Sequence, residues 1–297
     1  MYFRGSDSPW CASRLGCGVG EDVYIIRRKI FLRMEFRTVV DVAQAEWRIE
    51  PFDRLLLVGS CFAQNMGLKF EDAQFPTVVN PFGVMYNPVS ILHTVRRWEG
   101  AADVVVLTLG TNRVYVERAT GEIVDNCEKR PQRLFEERSL SVAACTDALR
   151  EACSVLRSQN DGVRIVLTVS PIRYRKYGYH GSQLSKATLL LAADEVVRAE
   201  GPGVMYFPAY ELLNDELRDY RFYAPDMLHP SQQAVDYLWE RFVEAYFSSR
   251  AQQWMKEWAP VRAALQHRPF HPDSPDYLAF RQQAELRRDA LLRKWRE

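Results

Sequence analysis

"LLLVGSCFAQNMG", residues 55–67, is the stretch that decides the fold. Four apolar residues run into Gly59, and Ser60 and Cys61 follow before a helical pattern begins. A short continuous apolar run is typical of a strand buried on both faces, and such strands belong to parallel sheets covered by helices. The stretch therefore predicts a strand–turn–helix unit with two potential nucleophiles at the turn.

The same unit recurs along the chain, because apolar runs alternate with helical patterns. This order is typical of a doubly wound α/β protein. We predict a three-layer, flavodoxin-like domain with a five-stranded parallel sheet, whose strands lie at 54–59, 75–81, 103–110, 163–171 and 204–210. The alternating stretch 113–126, centred on Thr120 and Gly121, predicts an appended β-hairpin, and the chain beyond about residue 252 predicts a helical tail.

Residues 1–33 differ from the rest, since they are irregular, contain several glycines and end in a basic cluster. We predict a poorly ordered N-terminal extension there, and a single domain over 34–297. The alternative is an ordered arm that packs on the domain, and limited proteolysis would separate the two.

Composition excludes several classes of function. The 297 residues include 39 basic and 38 acidic side chains, so the charge balance offers no electrostatic reason to expect nucleic acid as a partner. No apolar run approaches the roughly 20 residues that span a bilayer, and the N-terminus lacks the apolar core of a signal peptide. The six cysteines form no C-x-x-C pair and no zinc spacing, which predicts reduced thiols, a cytoplasmic location and no cysteine-based metal site.

Ser60 is the first candidate for chemistry, because ligands of such sheets bind at the carboxyl ends of the strands. There the hydroxyl could attack an acyl carbonyl, and the N–H at the helix start could stabilise an oxyanion. Serine is also a preferred helix cap, and the turn alone favours that interpretation. Asn112 follows the third strand, and Asp226 and His229 lie three apart before the last helix of the sheet domain. One short loop could carry both, with Asp226 orienting His229 as a general base.

These stretches also carry a resemblance. "GSCFA" (59–63), "NPFGVMYNP" (80–88), "TLGTNRVY" (108–115), "SQLSKATLLLA" (182–192) and "LRDYRFYAPDMLHPS" (217–231) resemble, in order, the blocks of the GSCFA family. That family is similar to the SGNH/GDSL serine hydrolases. The resemblance implies a Ser60–His229–Asp226 triad and an oxyanion hole made by the N–H groups of Ser60 and Gly83 and the side-chain amide of Asn112. Asn80 is a rival to Gly83.

The chain departs from the family pattern at several positions. The aspartate that follows the glycine in GDSL enzymes is absent, because Ser60 follows Gly59 directly and Cys61 comes next. Arg113 replaces the last residue of the SGNH pattern G-x-N-D, and Tyr174 occupies a position that is often histidine in the family. The candidate substrate contacts are Cys61, Asn80, Arg113, Arg173, Tyr174 and His180. Cys61 is an alternative nucleophile, and Asp226 with His229 is an alternative but incomplete metal site, since no third ligand has suitable spacing.

The predicted fold and the candidate residues are compatible with three functions. The first is an SGNH-type ester hydrolase acting on a small-molecule or carbohydrate ester, without a cofactor. The second is an acyltransferase in which a sugar hydroxyl replaces water. The third is a non-catalytic α/β binding protein that retains the pocket. The acyl group, the alcohol and the oligomeric state stay open.

Overall fold

The computed structural model of the chain describes residues 36–127 and 129–296. The predicted N-terminal extension, 1–33, lies outside the described residues. The larger compact unit, Val39–Glu297, carries every strand and helix discussed below.

The strands are β1 (Leu55–Gly59), β2 (Thr77–Val79), β3 (Val104–Leu109), β4 (Arg113–Glu117), β5 (Ile123–Val124), β6 (Phe135–Ser139), β7 (Arg164–Val169) and β8 (Val204–Tyr206). The helices are α1 (Cys61–Asp72), α2 (Pro88–Arg97), α3 (Val142–Gln159), α4 (Gly178–Glu200), α5 (Gln232–Tyr246), α6 (Ser249–Gln266) and α7 (Pro275–Arg296). A helical turn at Ala209–Glu211 continues as a π-helix over Leu212–Leu217. Short 3₁₀ segments lie at Gln132–Leu134, Arg175–Tyr177, Gly201–Gly203 and Tyr220–Phe222.

The main sheet has five parallel strands in the order β2-β1-β3-β7-β8. The predicted fold class is thereby confirmed, including the flavodoxin-like order in which the first strand lies between the second and the third. The second and fifth strands are shorter than predicted, at three residues each. In the register of β1 and β3, Gly59 lies opposite Thr108, so the two strands end at the same edge.

Alternate strand residues pack into two separate cores, which makes the fold three-layered. Leu56 and Val58 join the core under α2, α3 and α4, whereas Leu55 and Leu57 join the core under α1, α5 and α6. Both faces of the central strands are buried, which explains why these strands are continuously apolar instead of alternating.

The appended hairpin is confirmed as β4 paired antiparallel with β5. A third strand, β6, pairs with the other side of β4 and was not predicted. Its sequence, "FEERS", contains one apolar residue that is buried, Phe135, and three charged ones. Such an edge strand has little hydrophobic patterning to reveal it.

The predicted helical tail is confirmed as α6 and α7. Two indole N–H groups of α6 donate to the carboxyl-terminal end of α1, Trp254 to the carbonyl of Ala73 at 2.8 Å and Trp258 to that of Asp72 at 2.7 Å. They satisfy carbonyls that a helix end leaves without intrahelical partners. The tail therefore fixes the far end of the helix that begins after Ser60.

Among the described residues, no helix is long and apolar enough to cross a membrane.

Candidate active site

The turn after β1 depends on a glycine at position 59. Gly59 has φ of 140°, and a Cβ atom there would lie 2.1 Å from the carbonyl oxygen of Thr108 on β3. Any side chain would therefore collide with backbone, and the torsion angle itself disfavours other residues. Gly59 lets β1 pass close to β3 and deliver Ser60 to the start of α1.

Ser60 is the N-cap of α1 and is fully buried. Its Oγ accepts a hydrogen bond from the Phe62 N–H at 3.3 Å and lies 3.2 Å from Thr108 Oγ1. Its own N–H donates to Thr108, to the carbonyl oxygen at 3.1 Å and to Oγ1 at 2.9 Å. The capping role is therefore present in the structure, and both the hydroxyl and the N–H of Ser60 are directed towards β3.

The loop before α5 brings Asp226 and His229 together. Asp226 Oδ2 lies 2.5 Å from His229 Nδ1, and Oδ1 accepts from the backbone N–H groups of His229 at 3.0 Å and Leu228 at 2.9 Å. These hydrogen bonds, led by the one from the His229 N–H, lower the pKa of Asp226 to about 2. A charged carboxylate on Nδ1 favours the tautomer whose Nε2 can accept a proton.

The structure does not join this pair to Ser60 by a hydrogen bond. Within the described chain, His229 Nε2 has no hydrogen-bond partner, and the His229 side chain is 42% exposed. The loop is nevertheless attached to the carboxyl edge of the main sheet. Arg173, which follows β7, donates its N–H to the Leu228 carbonyl at 3.0 Å and its guanidinium to the Met227 carbonyl at 3.1 Å.

The predicted oxyanion donors have partners in this conformation. The Gly83 N–H donates to the Asn80 carbonyl at 2.9 Å, and Asn112 Nδ2 donates to the Leu140 carbonyl at 2.8 Å. Asn80 differs from both, because its Oδ1 accepts from the Gly59 N–H at 2.8 Å while its Nδ2 is buried without a partner. The unpaired donor beside the turn is thus on Asn80.

Tyr174 supplies a second unpaired group beside Ser60. Its hydroxyl is buried and has no hydrogen-bond partner, and burial raises its pKa well above the ordinary value. A Cβ atom placed on Gly110 would lie 2.3 Å from that hydroxyl and 3.4 Å from Ser60 Cβ. Buried polar groups without partners are uncommon in folded proteins, so two at one turn mark it as a place where ligand atoms could bind.

A cavity of about 700 Å³ is lined by residues of β4 and β5 in the small sheet and by residues of the loops that follow β3 and β7. The residues around it include four tyrosines and two arginines, namely Tyr86, Tyr115, Tyr174, Tyr177, Arg113 and Arg130. Ser60 does not line it, but Tyr86 lies next to the turn, because the N–H of its neighbour Met85 donates to the Gly59 carbonyl at 2.9 Å. The volume lies within the range of small-molecule sites.

Of the remaining candidate contacts, Arg113 lines this cavity, and Cys61 and His180 do not. Cys61 is partly exposed, with Sγ 3.9 Å from Tyr86 Oη. Arg113 lines the cavity, with its guanidinium 5.2 Å from the centre of the Tyr177 ring. His180 is exposed in the first turn of α4, and its side chain forms no hydrogen bond with another described residue. Among the described residues, no group of three or more His, Cys, Asp or Glu side chains forms a metal site.

Lys186 is a functional candidate that the sequence analysis missed. It is 1% exposed, and its Nζ donates to the carbonyls of Gly110 at 2.7 Å and Ser170 at 2.6 Å, which follow β3 and β7. Burial lowers its pKa to about 7. A signal was present, because Lys186 falls on the buried stripe of α4 at helical spacing with Ser182 and Leu189.

Two protein-family models match the chain. The GSCFA family matches residues 54–100 and 92–242, which include the turn, the small sheet and the Asp226–His229 loop. The chain belongs to the GSCFA family. Residues 258–296 match the GSCFA domain protein, C-terminal domain, which corresponds to the second half of α6 and all of α7. No curated protein matches the sequence.

Solved structures similar to this GSCFA chain include several esterases. A carbohydrate esterase family 3 protein from Talaromyces cellulolyticus is 12% identical, with 69% of this chain and 99% of that chain covered, at a TM-score of 0.42. A GDSL-like lipase from Parabacteroides merdae is 12% identical, with 66% and 96% covered, at 0.44. A carbohydrate esterase family 2 enzyme from Myceliophthora fergusii is 16% identical, with 69% and 67% covered, at 0.43.

Proposed function

We propose that the protein is a serine hydrolase that cleaves carboxylic esters. The observation that carries the proposal is the Asp226–His229 pair, in which a fixed carboxylate contacts Nδ1 and Nε2 has no partner among residues 36–127 and 129–296. The pair lies in a loop tied to the same sheet edge at which Ser60 begins α1. A nucleophile, a base and a group that orients the base are the minimum set for acyl transfer through serine.

In the proposed reaction, Ser60 Oγ attacks the ester carbonyl while His229 Nε2 takes the hydroxyl proton. The C–O bond of the tetrahedral intermediate then breaks, and the imidazolium returns the proton to the leaving alcohol. Water attacks the acyl-enzyme with His229 as base, and the acid is released as Ser60 regains its proton. Asp226 stabilises the imidazolium in both halves.

In the first step, Ser60 Oγ must leave its contact with Thr108 Oγ1 and form a hydrogen bond with His229 Nε2. The hydroxyl is directed at Thr108 Oγ1, and the side chain is fully buried, so its χ1 must rotate and the tyrosines beside the turn must move before an ester can reach it. The proposed reaction therefore begins with a local opening of the site. Such loop and side-chain steps are common in enzymes whose sites exclude water.

Asn80 and Tyr174 are the oxyanion donors that the hydrogen-bond pattern favours. Asn80 Nδ2 and Tyr174 Oη are buried and unpaired near the turn, whereas the N–H of Gly83 and the amide of Asn112 already have backbone acceptors. A donor with no competing acceptor is preorganised for charge that develops in the transition state. Gly83 and Asn112 serve this role only if their present hydrogen bonds break.

Substrates of the proposed enzyme are small-molecule esters, including acylated carbohydrates. The tyrosine rings around the cavity offer flat apolar faces against which a sugar ring or an aryl group can pack.

Labelling with a fluorophosphonate tests the proposal. We expect mass spectrometry to find one adduct on Ser60 in the wild-type protein, none in Ser60→Ala, and at least a hundredfold slower labelling in His229→Ala. Cys61→Ala is the matched control, because it alters the neighbouring potential nucleophile, and it should label normally. An unlabelled Ser60 in protein that binds esters would favour a non-catalytic binding protein, and loss of labelling only in Cys61→Ala would transfer the nucleophile to Cys61.

A further inference from the structure

Arg113 is the unusual charge of the cavity. Its Nε is buried and has no hydrogen-bond partner, and no carboxylate of the described chain forms an ion pair with its guanidinium. A buried donor on a charged group loses its hydration without compensation unless something else accepts from it. The guanidinium is held over the Tyr177 ring, so its direction is fixed by packing and not by a charge partner.

The other charged residues around the cavity are already neutralised. Arg130 pairs with Glu117 at 2.6 Å, and Asp125 pairs with Arg97 at 3.5 Å. The described lining of the cavity therefore has one uncompensated charge, and that charge is positive.

A stack of rings connects this charge to the Ser60 turn. The Tyr177 ring under Arg113 is stacked on Tyr174, with ring centres 6.0 Å apart and planes 24° apart. Tyr174 carries the unpaired hydroxyl beside Gly110 and Ser60. A ligand lying along these rings would place one end near Ser60 and the other at Arg113.

We infer that the cavity binds ligands that carry an anionic oxygen group, a carboxylate or a phosphate, and that Arg113 is the residue that recognises it. Guanidinium groups bind both anions through paired hydrogen bonds, and Tyr174 and Tyr177 hold the flat body of the ligand. The inference rests on the proposed function in so far as this ligand is the substrate. It makes the substrate an anionic ester, with its charge remote from the scissile bond.

Binding of matched charged and neutral probes tests this inference. The probes are 4-nitrophenyl β-D-glucuronide and 4-nitrophenyl β-D-glucoside, which differ by a carboxylate, with 4-nitrophenyl phosphate to distinguish the two anions. Isothermal titration calorimetry on wild-type protein should give at least tenfold tighter binding of the glucuronide or the phosphate than of the glucoside. Arg113→Gln should remove that preference and leave glucoside binding unchanged, a loss typical of one charge-assisted hydrogen-bonded contact.

Two further variants keep the test interpretable. Arg113→Lys retains the charge and should keep part of the preference. Arg133→Gln removes the same charge from an exposed position in the neighbouring 3₁₀ segment and should behave as the wild type. Equal affinity for the anionic and neutral probes, no binding of any probe, or an anion preference that survives in Arg113→Gln would overturn the inference.

Anion binding does not require Ser60, so the same titrations in Ser60→Ala should give the wild-type result. Comparing them with fluorophosphonate labelling of the wild type separates this inference from the proposed reaction. Arg113-dependent anion binding in a protein whose Ser60 does not label would support the site and contradict the hydrolase. Labelling of Ser60 in a protein that shows no anion preference would support the hydrolase and contradict the anion site.

Discussion

Replacing Lys186 with methionine should change how the stability of the protein depends on pH. Lys186 Nζ is buried against two carbonyl groups, forms no ion pair within the described chain, and has its pKa lowered to about 7 by burial. A lysine in an unfolded chain titrates near 10.4. Between these values the unfolded chain holds a proton that the folded chain lacks. The free energy of unfolding of the wild type should therefore rise with pH in that window, relative to Lys186→Met.

The expected slope follows from linkage. One proton of difference corresponds to about 1.4 kcal/mol per pH unit, so the wild type should gain about 2.5 kcal/mol over Lys186→Met between about pH 7.5 and 9.5. Below about pH 7 both states bind the proton and the two proteins should differ by a constant amount. The quantity to compare is the difference in the free energy of unfolding between the wild type and Lys186→Met at each pH. Burial raises the pKa of Cys145 and Cys153 to about 12, so these thiols oppose the rise in stability with pH, but they do so equally in both proteins.

Urea unfolding followed by circular dichroism at three pH values measures the effect. Lys256→Met, which removes an exposed lysine, controls for the change in total charge. If Lys186→Met and the wild type give parallel curves from about pH 7.5 to 9.5, Lys186 is not a desolvated amine and the reasoning fails. Lys186→Gln, which keeps a donor for the carbonyls, replaces the methionine variant if that variant does not fold.

Two other predictions test the turn and the loop. Gly59→Ala should destabilise the protein by about 3 kcal/mol or more, because its Cβ would meet the Thr108 carbonyl. Gly121→Ala is the control, since Gly121 also has a positive φ but has open space around it, and it should lower the free energy of unfolding by less in the same urea experiment. Equal losses in the two variants would refute the steric argument. Asp226→Asn should slow fluorophosphonate labelling of Ser60 at least a hundredfold. Because the pKa of Asp226 is lowered to about 2, its carboxylate should stay charged as the pH falls from about 6 to 4, and an NMR titration in which this carboxyl group takes up a proton in that range would contradict the assignment.

The main sheet was predictable because its information is local. β1, β3 and β7 are buried on both faces, so each is a continuous apolar run bounded by turn residues. β6 was not predictable on that ground, since its three charged residues are half-buried or exposed and Phe135 is its one buried residue.

One contact within the candidate site was predictable from the sequence, whereas the directions of its side chains were not. The spacing of Asp226 and His229 indicated a contact, and the structure has that contact. The direction of the Ser60 hydroxyl depends on Thr108 Oγ1, which lies on a neighbouring strand 48 residues away, and no local pattern encodes it. Lys186 was hidden for a different reason, because a lysine on an apolar helix face looks like a break in the pattern until its two carbonyl acceptors are known.

The tryptophans that hold the end of α1 make that helix optically observable. Trp254 and Trp258 donate to carbonyls at one end of a twelve-residue helix whose other end is Ser60, and Trp254 also contacts the Trp295 ring of α7. A shift of α1 on ligand binding changes the polarity around these indoles, and hence their emission, without any attached dye. Trp254 and Trp258 thus provide an intrinsic fluorescence signal for movement of the helix that begins after Ser60.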